Sequence, residues 1–434
     1  MRVSTNTVFE QGVFNMLQGQ ARLLKTQDQI STGRRVLTPA DDPVAAARAL
    51  EVSQSQAVNE QYMRNADSAR GTMDLQEEAL TRYTRLLQDV KTLAVNAGNA
   101  ALSSRELKNI ASELRGRYDE LLGIANTTDA NGLYLFSGYQ GTTQPFSENA
   151  PGQVDYNGDE GQRLVQIAPT RDVPVSQSGA DVFQRIRDGN GTFVTAASAT
   201  NVGTGIVTAG VVRNASAWDS VGNSKNFEVR FAVDSTSVPP TTTYDIVDTV
   251  NNVSLTTGLA PAAGPYPRTY QAGAAIVVAT QAPPDTNPVA FDYGIEFSVT
   301  GTPSDGDAFT VAPSTAKDIF STLHDLITTL ETAGPGATLN TRLTNSLNSA
   351  QNNLDNALDV NLTILAAVGA FAKEVDTNRS AAEDLGQQFA RELSGLQDLD
   401  YAKAITELTY QRVSLEAAQK SFMSVQELSL FALL

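Results

Sequence analysis

Apolar residues recur every seven positions at the start of the chain, at Phe9, Met16, Leu23 and Ile30. Val13 fills an interleaved position, but Gln20 and Gln27 follow it in register. A strict seven-residue repeat holds one helix face towards a partner helix. Two readings stand at this point: ordinary packing inside a bundle, or a seam that other chains complete. The pattern breaks at Ser31-Thr32-Gly33. A second helix is expected from Asp42-Pro43, where Asp caps free N–H groups and proline suits the first helical position. Its stripe is Ala66, Ala69, Met73, Gln76, Leu80, Tyr83, Leu87, Val90, Ala94 and Ala97, with Gly98 as the stop. At 1.5 Å per residue that helix is on the order of 80 Å long. Ser103 with Glu106 reads as a capping box for a third helix.

The far end repeats the theme. Thr315 with Asp318 reads as another capping box, followed by Ile319, Leu323, Ile327 and Leu330. Gly334-Pro335-Gly336 stops that helix, and a long one is expected from about Thr338, with a break between Gly395 and Asp400. The last arm carries Tyr401, Ala404, Leu408, Gln411, Leu415, Ala418, Phe422 and Val425, spaced alternately by three and four, and ends in the apolar LSLFALL. Such a tail is an aggregation risk unless an assembly buries it.

Between the arms the period changes. RLVQIA, NFEVRFAV, YDIVD, AAIVVAT, YGIEFSVTG and DAFTVA alternate apolar and polar residues between turn signals, which predicts antiparallel strands. Proline marks the same division: 14 of the 17 prolines lie between 145 and 313, and long helices exclude proline. The expected fold is therefore α+β and multidomain. Helical arms pair as a coiled coil (1–40 with 401–434) and a bundle (41–135 with 314–400) around an antiparallel β insert at 136–313. A joint near 190 would divide the insert in two.

Composition narrows the function. The net charge is −17, so nucleic acid is not an expected partner, since phosphate needs clustered Lys and Arg. Residues 1–40 run the other way, with five basic side chains against Glu10 and Asp28. The chain has no cysteine, which removes disulfides and thiolate chemistry. No apolar run approaches the roughly 20 residues of a membrane span, and the first residues lack a cleavable signal pattern. The one histidine, His324, has no partners for a zinc or triad site. Asp155-Tyr156-Asn157-Gly158-Asp159 begins like a calcium loop, but Glu160 and Gln166 stand at the sixth and twelfth positions, so a solvated turn is expected. Neither an enzyme nor a cofactor is implied.

VSTN, ISTGRRVLTPADDPVAAARAL, NGLYLFSGYQGTTQPF and DLDYAKAITELTYQRVSLEAAQKSFMSVQELSLFALL together resemble the bacterial flagellin superfamily. They look more like its hook-associated members than its filament proteins. Filament flagellins usually carry an alanine-glycine pair after the acidic pair, whereas Pro43-Val44 follows Asp41-Asp42 here. The resemblance covers the arms well and 190–312 only loosely. It implies a structural adaptor between the hook-associated zone and the flagellin filament. Implied partners are the first hook-associated protein, flagellin, copies of the chain in a ring, and an export chaperone at the C-terminal arm. It also implies an extracellular flagellar location, reached by type III export without signal cleavage. The assembly seam expected from the spacing is Phe9, Val13, Met16, Leu23, Ile30, Tyr401, Leu408, Leu415, Phe422 and Val425. A filament flagellin, or a secreted adhesin using the β insert, are the alternatives.

Overall fold

In the computed structural model, residues 5–220, 225–334 and 336–431 are described. Three helices come first: α1 (Thr5–Thr32), α2 (Pro43–Ala97) and α3 (Ser104–Ala125). Gly33 ends α1 with φ of +70°, a conformation that favours glycine. The Asp42 carboxylate accepts from Ala45 N at 3.0 Å to start α2. The Ser103–Glu106 capping box closes reciprocally at the head of α3.

By compactness the chain divides into a unit of 1–67, 166–171 and 376–434, and a unit of 68–165 and 172–375. The helical breaks fall at Gly33 and between Gln397 and Tyr401, as the spacing indicates, but the compact units divide elsewhere, inside α2 and α6.

The larger unit is built around a helical core. The C-terminal half of α2 and α3 meet α5 (Ile319–Thr332) and the first part of α6 (Ala337–Gln397). Met73, Gln76, Leu80, Tyr83, Leu87, Val90, Ala94 and Ala97 of α2 are all buried, as are Leu347, Leu354, Ala357, Val368 and Val375 of α6. Buried polar groups in this core are paired where geometry allows. Gln76 Nε2 donates to Val175 O at 2.7 Å, and Asn361 Nδ2 to Leu80 O at 2.9 Å. The helix-starting residue before α5 differs from the expected capping box. Asp318 itself is the N-cap, accepting from Ser321 N at 2.6 Å. The backbone N–H of Thr315 instead donates to Asp188 Oδ1 at 2.7 Å. Asp318 competes better because a carboxylate accepts more strongly than a hydroxyl. Pro335, in the expected stop signal before α6, lies outside the described residues.

Short strands follow these helices: hairpin β1 (Phe146–Ala150) and β2 (Gln153–Tyr156), hairpin β3 (Leu164–Ala168) and β4 (Arg171–Pro174), and β5 (Ile186–Arg187). Their anchor is aromatic. Phe183 stacks within 4.9 Å of Tyr83 and 5.4 Å of both Phe136 and Phe146. The segment 132–146 noted in the sequence is thereby fixed to the bundle. Asp159, in the calcium-like run, accepts from Tyr139 N and Gly161 N at 2.9 and 2.8 Å, so it organises a turn.

The rest of the insert is a β domain folded around its own apolar cluster within the larger unit. Its strands are β6 (Phe193–Ala197), β7 (Ile206–Val207), β8 (Val211–Val212), β9 (Phe227–Asp234), β10 (Thr241–Asp248), β11 (Val253–Ser254), β12 (Arg268–Thr269), β13 (Ala275–Ala279), β14 (Asp292–Thr300) and β15 (Ala308–Pro313), with a turn of helix α4 (Ala215–Trp218). One sheet runs β11-β10-β9-β15-β6 with β12 beside β10; the other runs β13-β14-β7 with β8 beside β14. Both sheets are antiparallel. Their inner faces share one apolar cluster from Phe193 to Val311. Arg268 and Asp285 form a fully buried ion pair at 2.6 Å within it. Below the domain, β16 (Ala316–Lys317) pairs with β5 and leads into α5.

Candidate assembly surface

Helix α7 (Tyr401–Phe431) lies antiparallel against α1. The register is set by size. Gly12, Gly19, Thr26 and Gly33 recur every seven residues along α1. A Cβ at Gly12 would lie 2.8 Å from the Phe422 ring, one at Gly19 would lie 3.2 Å from Leu415 Cδ1, and one at Gly33 would lie 2.9 Å from the Tyr401 hydroxyl. Thr26, buried, donates from its hydroxyl to Gln411 Oε1 at 3.1 Å. Small residues on one helix thus receive large ones on the other. Glycine inside a helix costs about 1 kcal/mol relative to alanine, and here that cost permits the close approach.

The expected seam residues flank this contact. Phe9 meets Phe422 with ring centroids 5.1 Å apart. Val13, Met16, Leu23 and Ile30 on α1, and Leu408, Leu415 and Phe422 on α7, are only half-buried. Tyr401 stays 51% exposed despite its contact with Gly33. The side chains from Val425 onward, and residues 432–434 altogether, lie outside what is described. Two helices therefore bring the seam together and do not seal it.

The spacing argument overlooked a second set. Phe14, Leu17 and Leu24 on α1, and Ile405, Tyr410, Val413 and Met423 on α7, are exposed. Together with the seam they widen the apolar surface of α7 beyond the face that meets α1. The signal was in the sequence, in the three- and seven-residue steps from Phe14 to Leu17 to Leu24, but it is offset from the dominant stripe. Met16, Phe422 and Met423 also line a groove of about 410 Å³ with Glu416, Gln419 and Lys420.

The segment 33–42 is tied by polar contacts. Lys25 Nζ sits 2.5 Å from Asp41, whose carboxylate also accepts from Thr38 N at 2.8 Å and Leu37 N at 3.1 Å. The lysine and these N–H groups hold the Asp41 pKa down to about 2. Arg35 donates from Nη2 to Leu396 O at 2.8 Å and from its backbone N to Gln397 O at 2.7 Å. Lys25 and Arg35, two of the basic residues in 1–40, thus serve this connection.

His324 lies on α5, 3.4 Å from the Thr328 hydroxyl. No metal-binding group of His, Asp and Glu occurs among the described residues. Helix α6 is apolar enough along part of its length to pass as a membrane span by length and composition alone.

Residues 3–141 match the model of the bacterial flagellin N-terminal helical region. That match covers the first arm and the start of the insert. Flagellar hook-associated protein 3 of Salmonella typhimurium is 37% identical over 186 residues, 43% of this chain and 58% of that protein. The chain thus spans somewhat over half the length of the curated relatives it matches. Flagellin B of Helicobacter pylori is 28% identical over 137 residues, 32% of this chain and 27% of that protein. Among solved structures, flagellar hook-associated protein 3 from Legionella pneumophila superposes with a TM-score of 0.68 at 29% identity, covering 80% of this chain and 98% of that one. The similarity to the hook-associated protein is therefore longer and stronger than that to the flagellin, and the α+β architecture is common to this chain and the Legionella structure.

Proposed function

We propose that this chain is a structural adaptor of the bacterial flagellum, joining the hook-associated zone to the flagellin filament by self-assembly through its terminal helices. The observation that carries this reading is the α1–α7 pair, whose seam is half-buried and whose outer surface remains apolar. Covering a large apolar side chain fully contributes roughly 1.5–3 kcal/mol, so neighbouring copies supply what one chain lacks. Head-to-tail contacts of this kind build rings or tubes instead of two-fold dimers. The first hook-associated protein would lie on one side and flagellin on the other. A chaperone would cover the C-terminal arm before assembly, and the protein would reach the cell exterior through the flagellar export route. The greater similarity to hook-associated protein 3 than to flagellin B favours the adaptor over a filament subunit.

The test is genetic. Leu415→Asp and Leu17→Asp place a charge in the seam and on the outer stripe respectively. Both variants are expected to keep the β domain folded, while cells retain hooks and shed their filaments. Motile cells with normal filaments in both cases would overturn the reading.

A further inference from the structure

The β domain of 193–313 is attached to the bundle by two short crossings, at 188–192 and 314–315. Its apolar cluster is internal, running from Phe193 to Val311. Hydrogen bonds between the crossings, Ser314 N to Thr192 O at 2.9 Å and Thr315 N to Asp188 Oδ1 at 2.7 Å, hold the neck, and a polar face of α6 holds the domain beside it. Asn345 accepts from Val207 N with Oδ1 and donates to Gly205 O with Nδ2, both at 3.0 Å, as a strand would. Arg342 donates to Asn201 O at 3.2 Å. One helical face further along, Asn353 accepts from Gly189 N at 3.2 Å, and Asn356 donates to Arg187 O at 2.7 Å and Gly189 O at 3.0 Å. Asn353 and Asn356 lie eight and eleven residues beyond Asn345, which places all three on one side of the helix.

Beside these contacts is an open cleft of about 560 Å³. The edge strand β6 walls it on one side, while Asp325, Thr328 and Thr329 of α5 wall it on the other. Lys317 and Asp325 pair at 2.6 Å on its rim. Val207 and Ala350 supply the apolar part of its lining.

We propose that Arg342 and Asn345 form a latch, and that its release lets the β domain swing about the 188–192 and 314–315 crossings into the cleft above α5. Asn353 and Asn356 act on the crossing itself and keep the pivot in place. Gly189 and Gly191, with φ of +60° and +84°, form the tight turn at that pivot in a conformation that favours glycine. Water can take over each hydrogen bond of the latch, so opening it exposes little apolar surface. Domains joined by small polar interfaces move relative to one another unless an apolar contact holds them. The proposal concerns the insert alone and stands or falls separately from the assembly role of α1 and α7.

The absence of cysteine makes the test direct. Spin labels at Ala275→Cys on β13 and Glu113→Cys on α3 report the domain's position in the full chain by pulsed electron resonance. The parent should give one narrow distance distribution. Arg342→Ala with Asn345→Ala should at least double its width without lowering the β-domain unfolding midpoint. Adding Thr329→Trp, which fills the cleft, should narrow it again. Should the double variant unfold, Asn345→Ser alone carries the same comparison. A latch-free distribution as narrow as the parent's, a parent already as broad as the variant, or indifference to the tryptophan would overturn the proposal.

Discussion

On α2, Met73, Leu80, Tyr83, Leu87 and Val90 are shut away from solvent, none more than 1% exposed. On α1, Phe9 remains 46% exposed, and Val13, Met16, Leu23 and Ile30 are only partly covered. Both stripes have helical spacing and similar residues. The difference lies in the number of neighbours. The α2 stripe is surrounded by α3, α5, α6 and the aromatic residues of 133–183, all from the same chain. The α1 stripe has α7 alone. Periodicity specifies that a face has a partner; it does not specify how many partners there are or which chain provides them.

The largest expected effect tests that contrast in energy. Leu87→Ala should destabilise the bundle by about 3 kcal/mol, within the usual range for an emptied core site. Leu415→Ala should cost the isolated chain about 1 kcal/mol or less, because half of that side chain's environment is already water. Denaturant unfolding followed separately in each region measures both. Equal losses would erase the distinction between a completed and an incomplete core.

A second test uses glycines. Gly19 faces Leu415, whereas a Cβ on Gly116 of α3 meets nothing within 4 Å. Gly116→Ala should stabilise its helix by about 0.5–1 kcal/mol. Gly19→Leu should instead destabilise the terminal pair by about 1–3 kcal/mol through overpacking. Circular dichroism during thermal melting separates the outcomes. A stabilised Gly19→Leu would show that the α1–α7 register does not depend on small residues.

These tests also mark what could be read from the chain beforehand. The strands, the Ser103–Glu106 cap, the breaks near 33 and 398 and the α+β class follow from local periodicity and turn chemistry, and these are properties of a few adjacent residues. At Thr315–Asp318 the local pattern indicates a capping box, but Asp188, 127 residues away, takes the Thr315 N–H and Asp318 itself caps α5. The steps from Gly12 to Gly19, Thr26 and Gly33 were present in the sequence, but glycine in a helical pattern reads as a weakness until the residue opposite it is known. The exposed set Phe14, Leu17 and Leu24 was hidden for a related reason. An outward apolar residue differs from an inward one only by its neighbours.

A smaller effect concerns pH and the first unit only. Asp41 titrates near 2 instead of at the ordinary 3.8 because Lys25 and the Thr38 N–H favour its charged form. A lowered native pKa adds stability that is complete above the unfolded value and is lost as pH falls through the native one. The connector at 33–42 should therefore weaken between pH 3.8 and about 2. Lys25→Met should make the melting temperature of the terminal unit less dependent on pH across that window, with no such change in the bundle. An unchanged slope would remove the Lys25–Asp41 pair from the account of the connector.

The smallest effect asks how completely the bundle is sealed. The Tyr83 hydroxyl is buried without a hydrogen-bond partner, and burial raises its pKa strongly. Its ring is well placed, 4.9 Å from Phe183. A buried hydroxyl left unpaired costs about 1–3 kcal/mol in desolvation, while the ring contributes through packing that phenylalanine would retain. Tyr83→Phe should accordingly leave the bundle as stable as before or raise its stability by up to about 1 kcal/mol. Thermal and denaturant midpoints for the large unit measure this. A loss beyond about 1 kcal/mol would mean that the hydroxyl has a partner such as an internal water. In that case the bundle core would be hydrated at its centre, and the contrast with the half-wet terminal pair would become one of degree.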